Sequence, residues 1–222
     1  MLPDRRLFLA KAVAVLTMLA EAMLPLPAHA QQLYDDFVFA VANDRIDQVK
    51  SLLARGIDPN TVTPNGEPVL LIAARAGYTA SVEALLGART INVNARSGFG
   101  DTALMVAALN GRLAVVKKLR TRGAEVNAPG WTPLIYAATG GHDDLVAYLL
   151  AEGADINAVS PNGMTALMMA ARENRGSTLE LLLAKGANAN VRSQNGVSAL
   201  DLAKHNDDTT MVERLKRAGA RE

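Results

Sequence analysis

The chain has 222 residues, half of them apolar and only 4% aromatic, with a formal net charge of +1. So small a charge excludes a partner recruited by a strong field, bulk nucleic acid above all. With no cysteine there are no disulfides and no thiolate metal or nucleophile sites, a composition compatible with an oxidising compartment.

Residues 1–30 read as an address rather than as fold. Arg5-Arg6 form a basic n-region, Phe8 to Leu26 is mainly apolar, and Pro25 and Pro27 precede Ala28-His29-Ala30, an A-x-A cleavage pattern. Lys11, Glu21 and the prolines interrupt the roughly 20 apolar residues a spanning helix needs. A signal cleaved after Ala30 is therefore expected in preference to a retained anchor, which would make the protein a membrane-tethered scaffold. Arg5-Arg6-Leu7-Phe8-Leu9 resembles the twin-arginine export signal, with Asp4 and Lys11 departing from its pattern, so that route and the ordinary secretory route both stay open. Either implies a bacterial periplasm. Cleavage removes Arg5, Arg6 and Lys11 with Asp4 and Glu21, which leaves a formally neutral chain with no membrane segment.

Gln32 to Ala42 and Ile46 to Ala54 give two helical patterns closed by Gly56-Ile57-Asp58-Pro59-Asn60, a pair suited to capping an array. A common unit then recurs, shown most fully from Gly130 to Ala158. Thr132 suits an N-cap and Pro133 the first helical position, and Leu134, Ala137 and Ala138 share one face. Gly140-Gly141 breaks that helix, Asp143 and Asp144 open the next against its N-terminal partial charge, and Gly153 is placed to end it. Equivalent markers are Pro68, Thr102, Thr132, Thr165 and Ser198, at steps of 34, 30, 33 and 33. Each is followed by small residues such as Ala73-Ala74 and Ala107-Ala108, then by leucines near the end of a second helix. Closures such as Gly123-Ala124-Glu125-Val126-Asn127 and Gly153-Ala154-Asp155-Ile156-Asn157 complete the unit.

These markers and closures resemble the ankyrin repeat, G-x-T-P-L-H-x-A-A with G-A-D-V-N further on, over Gln32 to about Ala220. The resemblance implies an all-α solenoid of stacked helix-turn-helix units with β-hairpin-like fingers. Six repeats are expected, at about 32–62, 63–95, 96–128, 129–158, 159–191 and 192–222. Leu71, Met105, Ile135, Met168 and Asp201 replace the family's His, so apolar contact should replace most of its hydrogen bonds. Pro68 takes a Thr capping position, which should start that repeat loosely. The long step places an extra residue near Gly87, and the short step removes three from the finger between Asn127 and Thr132, notching the groove beside Trp131.

No catalytic, cofactor or metal site is expected. Gly98-Phe99-Gly100-Asp101-Thr102-Ala103 has the form G-x-G-x-x-A, but it coincides with a finger and lacks a crossover unit. His142 and His205 read as turn residues at equivalent places, and a hydrolase using either is the enzymatic alternative. What the family resemblance implies instead is protein recognition through finger tips and first helices, at Phe99, Asp101, Trp131, Met164, Arg172, Arg75 and Asn110. Phe99, Trp131 and Met164 are expected to form one exposed apolar strip. The expected function is a non-enzymatic periplasmic module, monomeric when free, that supports or regulates another protein such as an oxidative-stress enzyme. An inhibitor of a toxic effector is the alternative.

Overall fold

The structure, a computed structural model, describes residues 28–221. Residues 1–27 of the expected export signal lie outside it, and Ala28 to Ala30 stand in the first turn of the first helix. The described residues contain twelve helices: α1 (Ala28–Ala42), α2 (Ile46–Ala54), α3 (Val69–Ala76), α4 (Thr79–Gly87), α5 (Ala103–Leu109), α6 (Leu113–Thr121), α7 (Pro133–Gly140), α8 (Asp143–Ala151), α9 (Ala166–Arg172), α10 (Gly176–Ala184), α11 (Ala199–His205) and α12 (Thr209–Arg217). They group into two units divided after Asp36. The first holds the opening turns of α1, tied by side-chain bonds Gln31 to Asp35 and Gln32 to Asp36, 2.9 Å each.

In the unit from Phe37 onward, α3, α5, α7, α9 and α11 pack successively in one layer. The second helices pack as α2 with α4, α4 with α6, α8 with α10 and α10 with α12. Alanine permits the close approach: Ala73, Ala74, Ala107, Ala108, Ala137, Ala138, Ala170, Ala171 and Ala203 have no exposed surface. Leu85, Leu119, Leu149, Leu182 and Leu215, equally buried, fill the space behind them. Four of the residues in the family's His position, Leu71, Met105, Ile135 and Met168, are buried to 1% or less, as expected from their apolar character. The fifth, Asp201, accepts the Ser198 amide at 2.8 Å, and bonds to Ser198 hold its carboxyl below the usual carboxylate range.

Capping sets where the first helices begin. Thr102, Thr132, Thr165 and Ser198 accept the amides of Met105, Ile135, Met168 and Asp201 at 3.2–3.3 Å. Pro68 makes no such bond, but the Val69 amide reaches Thr61 O at 2.9 Å, and Val69 and Leu71 have no exposed surface. That start is uncapped by a side chain yet anchored by the backbone, so it is not loose. The turn between helices always needs a left-handed residue. Gly77, Gly111 and Gly141 supply it with φ of 69–85°, while Asp44, Asn174 and Asp207 accept φ of 51–56° in the same place.

Two polar ladders lock the repeats together. Asn60 accepts the Asn92 amide at 2.7 Å and donates to Thr90 O at 2.9 Å. Asn94, Asn127 and Asn190 likewise join the next closure by both ends of the amide. Asn157 accepts from Asn188 at 2.8 Å. On the other ladder, Arg112 donates to Arg75 O at 3.3 Å, Arg175 to Thr139 O at 3.1 Å, and His142 Nε2 to Leu109 O at 2.9 Å.

Candidate protein-binding surface

Four fingers share one construction. Thr63, Ser97, Ser160 and Ser193 each donate their amide to the carbonyl four residues on, at 2.9 Å, and accept the glycine amide three residues on, at 2.8–2.9 Å. Their hydroxyls accept the amides of Glu67, Asp101, Met164 and Val197 at 3.0–3.3 Å. Isolated bridges Val62–Pro68 and Arg96–Thr102 extend two of these hairpins. The residue before the glycine at each tip is Asn65, Phe99, Asn162 and Asn195. Asparagine suits such a turn. Phenylalanine does not, and Phe99 is 94% exposed.

The finger between Asn127 and Thr132 is different. No backbone bond closes it into a hairpin, and Gly130 holds φ of 94° close to Pro161 of the next finger. Trp131 is half-buried there, edge-on to Tyr136 with ring centroids 5.9 Å apart. The Tyr136 hydroxyl donates to Asp101 Oδ1 on the preceding finger. Burial, with the Asp101 carboxylate as acceptor and neighbouring charge, pushes the Tyr136 hydroxyl well above the ordinary phenol range. Asp101, Tyr136 and Trp131 therefore form one connected group across two repeats, and Phe99 stands two residues before Asp101 on the same finger, its ring free of the group. Tyr136 was not legible as part of it, although its place in the repeat is held elsewhere by Ile72, Val106, Met169 and Leu202.

The expected strip does not form. Met164 is only 7% exposed, because its finger is gripped by the next one: Gln194 N donates to Asn162 O at 3.1 Å, and Gln194 Nε2 to Pro161 O at 2.6 Å. The other expected residues are split. Arg75 is exposed and paired with Glu67, and Arg172 with Glu173 at 2.9 Å. Asn110 spends its amide on Val106 O, at 2.7 Å, ending α5.

The histidines also need correction. His142 precedes α8, whereas His205 is the last residue of α11, so the two are not equivalent. Asp208 holds the place of His142 and caps α12 through the Met211 amide at 2.9 Å. The His142 ring packs against Gly111 and Gly140, where an added Cβ would come within 2.7 Å and 2.4 Å of it. It serves as an inter-repeat clamp. The 98–103 stretch is the finger, the N-cap and the first residue of α5, with no strand preceding it among the described residues. Among those residues, no group of three acidic, His or Cys side chains is placed to hold a metal. A cleft of about 690 Å³ lies away from the fingers, between Leu53, Ile57 and Pro59 and the displaced end of α4 at Gly87 and Ala88.

Comparison with known proteins agrees with this geometry. A family model described as ankyrin repeats (3 copies) matches residues 37–130 and 122–193. The chain is 38% identical over 96 residues to the Notch-regulated ankyrin repeat-containing protein of Xenopus tropicalis, covering 40% of this chain and 84% of that protein. It is 34% identical over 135 residues to the ankyrin repeat and SAM domain-containing protein 6 of Rattus norvegicus, covering 56% of this chain but 15% of that protein. The crystal structure of the human ASB11 ankyrin repeat domain superposes with a TM-score of 0.75 at 28% identity, covering 85% of this chain and 84% of that one.

Proposed function

The chain belongs to the ankyrin repeat family, and from that premise we propose that it is a non-enzymatic module that binds and supports or regulates another protein through the surface around Phe99 and Trp131. The observation that carries this reading is Phe99, 94% exposed at a turn position that the sibling fingers give to asparagine. Exposure of a large ring there does nothing for the fold, and aromatic side chains are enriched where interfaces are most buried. Asp101, Tyr136 and Trp131 extend the surface by a bonded, preorganised cluster. Arg75, Asn110 and Arg172 lie at the C-terminal ends of α3, α5 and α9, and the buried Met164 is not part of the surface.

The module, monomeric when free of its partner, acts in the bacterial periplasm, exported on residues 1–30 and cleaved after Ala30. The support is the basic pair Arg5-Arg6, the apolar stretch after it and the A-x-A pattern. Mass spectrometry of the mature protein gives Gln31 as the first residue; an intact N-terminus refutes export by cleavage. For the surface itself, partner capture is compared between the unaltered chain and the variants Phe99→Ala, Trp131→Ala and Asn195→Ala. The first two weaken binding about thirtyfold, the scale of an interface hot spot at about 2 kcal/mol. Asn195→Ala leaves it unchanged. Equal capture by all four proteins would remove the basis of the reading.

A further inference from the structure

The row of hairpins has a gap. Fingers 97–101 and 160–164 are separated by the repeat whose finger is unformed, so two steps of helix packing lie between them, about 16–20 Å. Elsewhere a neighbouring hairpin fills such a space, as Gln194 does by donating to Asn162 O at 3.1 Å. In the gap, Trp131 and Tyr136 take the place of a finger. On one side Pro161 closes on Gly130, and on the other stands the finger that carries Phe99 and Asp101.

Charge specifies what the gap receives. Three other carboxylates of the fingers and first helices are answered by arginines of this chain: Glu67 by Arg75, Glu173 by Arg172 and Asp201 by Arg192. Asp101 instead meets the neutral hydroxyl of Tyr136, and no ion pair among the described residues includes it. The unformed finger from Ala128 to Trp131 and helix α7 beneath it contain no charged residue. The gap is thus aromatic, with the carboxylate of Asp101 at its edge outside these ion pairs, while Arg96 of the same finger spends its guanidinium on Gly100 O at 2.6 Å. A guanidinium fits it, because its fork bonds a carboxylate while its flat face stacks on aromatic rings.

We propose that the gap left by the shortened finger receives a tight turn of a partner protein bearing an exposed arginine, which pairs with Asp101 between Phe99 and Trp131. This deepens the protein-binding reading above and rests on it. The turn stands in for the missing hairpin, and the arginine supplies the cation that Glu67, Glu173 and Asp201 find within the chain.

Trp131, the one tryptophan of the chain, reports on the gap by fluorescence. The probe is a disulfide-closed hairpin peptide with the sequence of residues 158–165, made with its tip asparagine or with the change Asn162→Arg. Titrated into the full chain, the arginine form shifts Trp131 emission and binds at least tenfold tighter than the asparagine form. Asp101→Asn, which keeps an oxygen to accept the Tyr136 hydroxyl, abolishes that preference. Grafting residues 159–163 in place of 129–130 restores the three missing residues, fills the gap and abolishes binding, with circular dichroism confirming the fold. Equal affinity of the two peptides, no response up to millimolar peptide, or a preference that survives Asp101→Asn overturns the proposal. So does a chain that sediments as a dimer and becomes monomeric on grafting, since the occupant is then a second copy. If Phe99→Ala still loses the partner while the peptides fail, the slot falls and the binding surface stands.

Discussion

Single side chains in this protein divide into those that join repeats and those left for a partner. Asn127 is of the first kind, accepting the Asp155 amide at 2.9 Å and donating to Gly153 O at 2.7 Å. Asn127→Ala should cost about 1–2 kcal/mol, read as a lower urea midpoint, because two backbone partners lose their bonds. Asn65→Ala, at a finger tip, should change the midpoint hardly at all. His142 is also of the first kind: His142→Ala opens the space at Gly111 and Gly140 and frees Leu109 O, whereas His142→Arg restores the clamp that Arg112 and Arg175 make. Tyr136 links stability to pH. Folding holds its proton more tightly than the unfolded chain does, so its contribution is full below the unfolded pKa of about 10 and is lost as pH rises above it. The stability difference between the unaltered chain and Tyr136→Phe should therefore shrink between pH 9 and pH 11. A constant difference across that range contradicts the bond to Asp101.

At the scale of elements, helix starts and stops were largely legible, because capping Thr and Ser and turn glycines act through their immediate neighbours. Thr132, Pro133 and Gly141 do what their chemistry requires. The displaced glycine of the long step was legible too. Gly87 is the last residue of α4 and has no left-handed conformation, and a Cβ added there meets nothing within 4 Å. Gly153, after α8, has φ of 86°. Gly87→Ala should accordingly stabilise the chain by about 0.5–1 kcal/mol, whereas Gly153→Ala should destabilise it by about 1 kcal/mol or more. Melting curves that move in the same direction for both contradict this account of the two helix ends. What the sequence hid depends on contacts between repeats. Met164 looks like an exposed tip until the neighbouring finger is seen bonded to its own. Tyr136 looks like core until its hydroxyl is seen on Asp101. The asparagine ladder, one residue in each closure from Asn60 to Asn190, shows its purpose only when successive closures are stacked.

The whole molecule is held by nearest neighbours, so its stability should be distributed along the array rather than set by one core. Ile135 has no exposed surface and lies in α7, packed between α5 and α9. Ile135→Ala should cost about 2–5 kcal/mol and speed amide exchange first in α5, α7 and α9. Uniform loss of protection from α2 to α12 contradicts a neighbour-by-neighbour array. None of the described helices is long and apolar enough to cross a membrane, and the chain carries almost no net charge. Recognition therefore falls to shape and a few side chains rather than to a field. The most direct test places a photo-crosslinking amino acid at position 99 and, separately, at position 65, the matching tip of another finger, in the native cell. The account predicts one discrete protein adduct from position 99 and none from position 65. Equal adducts from both, or none from either, would contradict it.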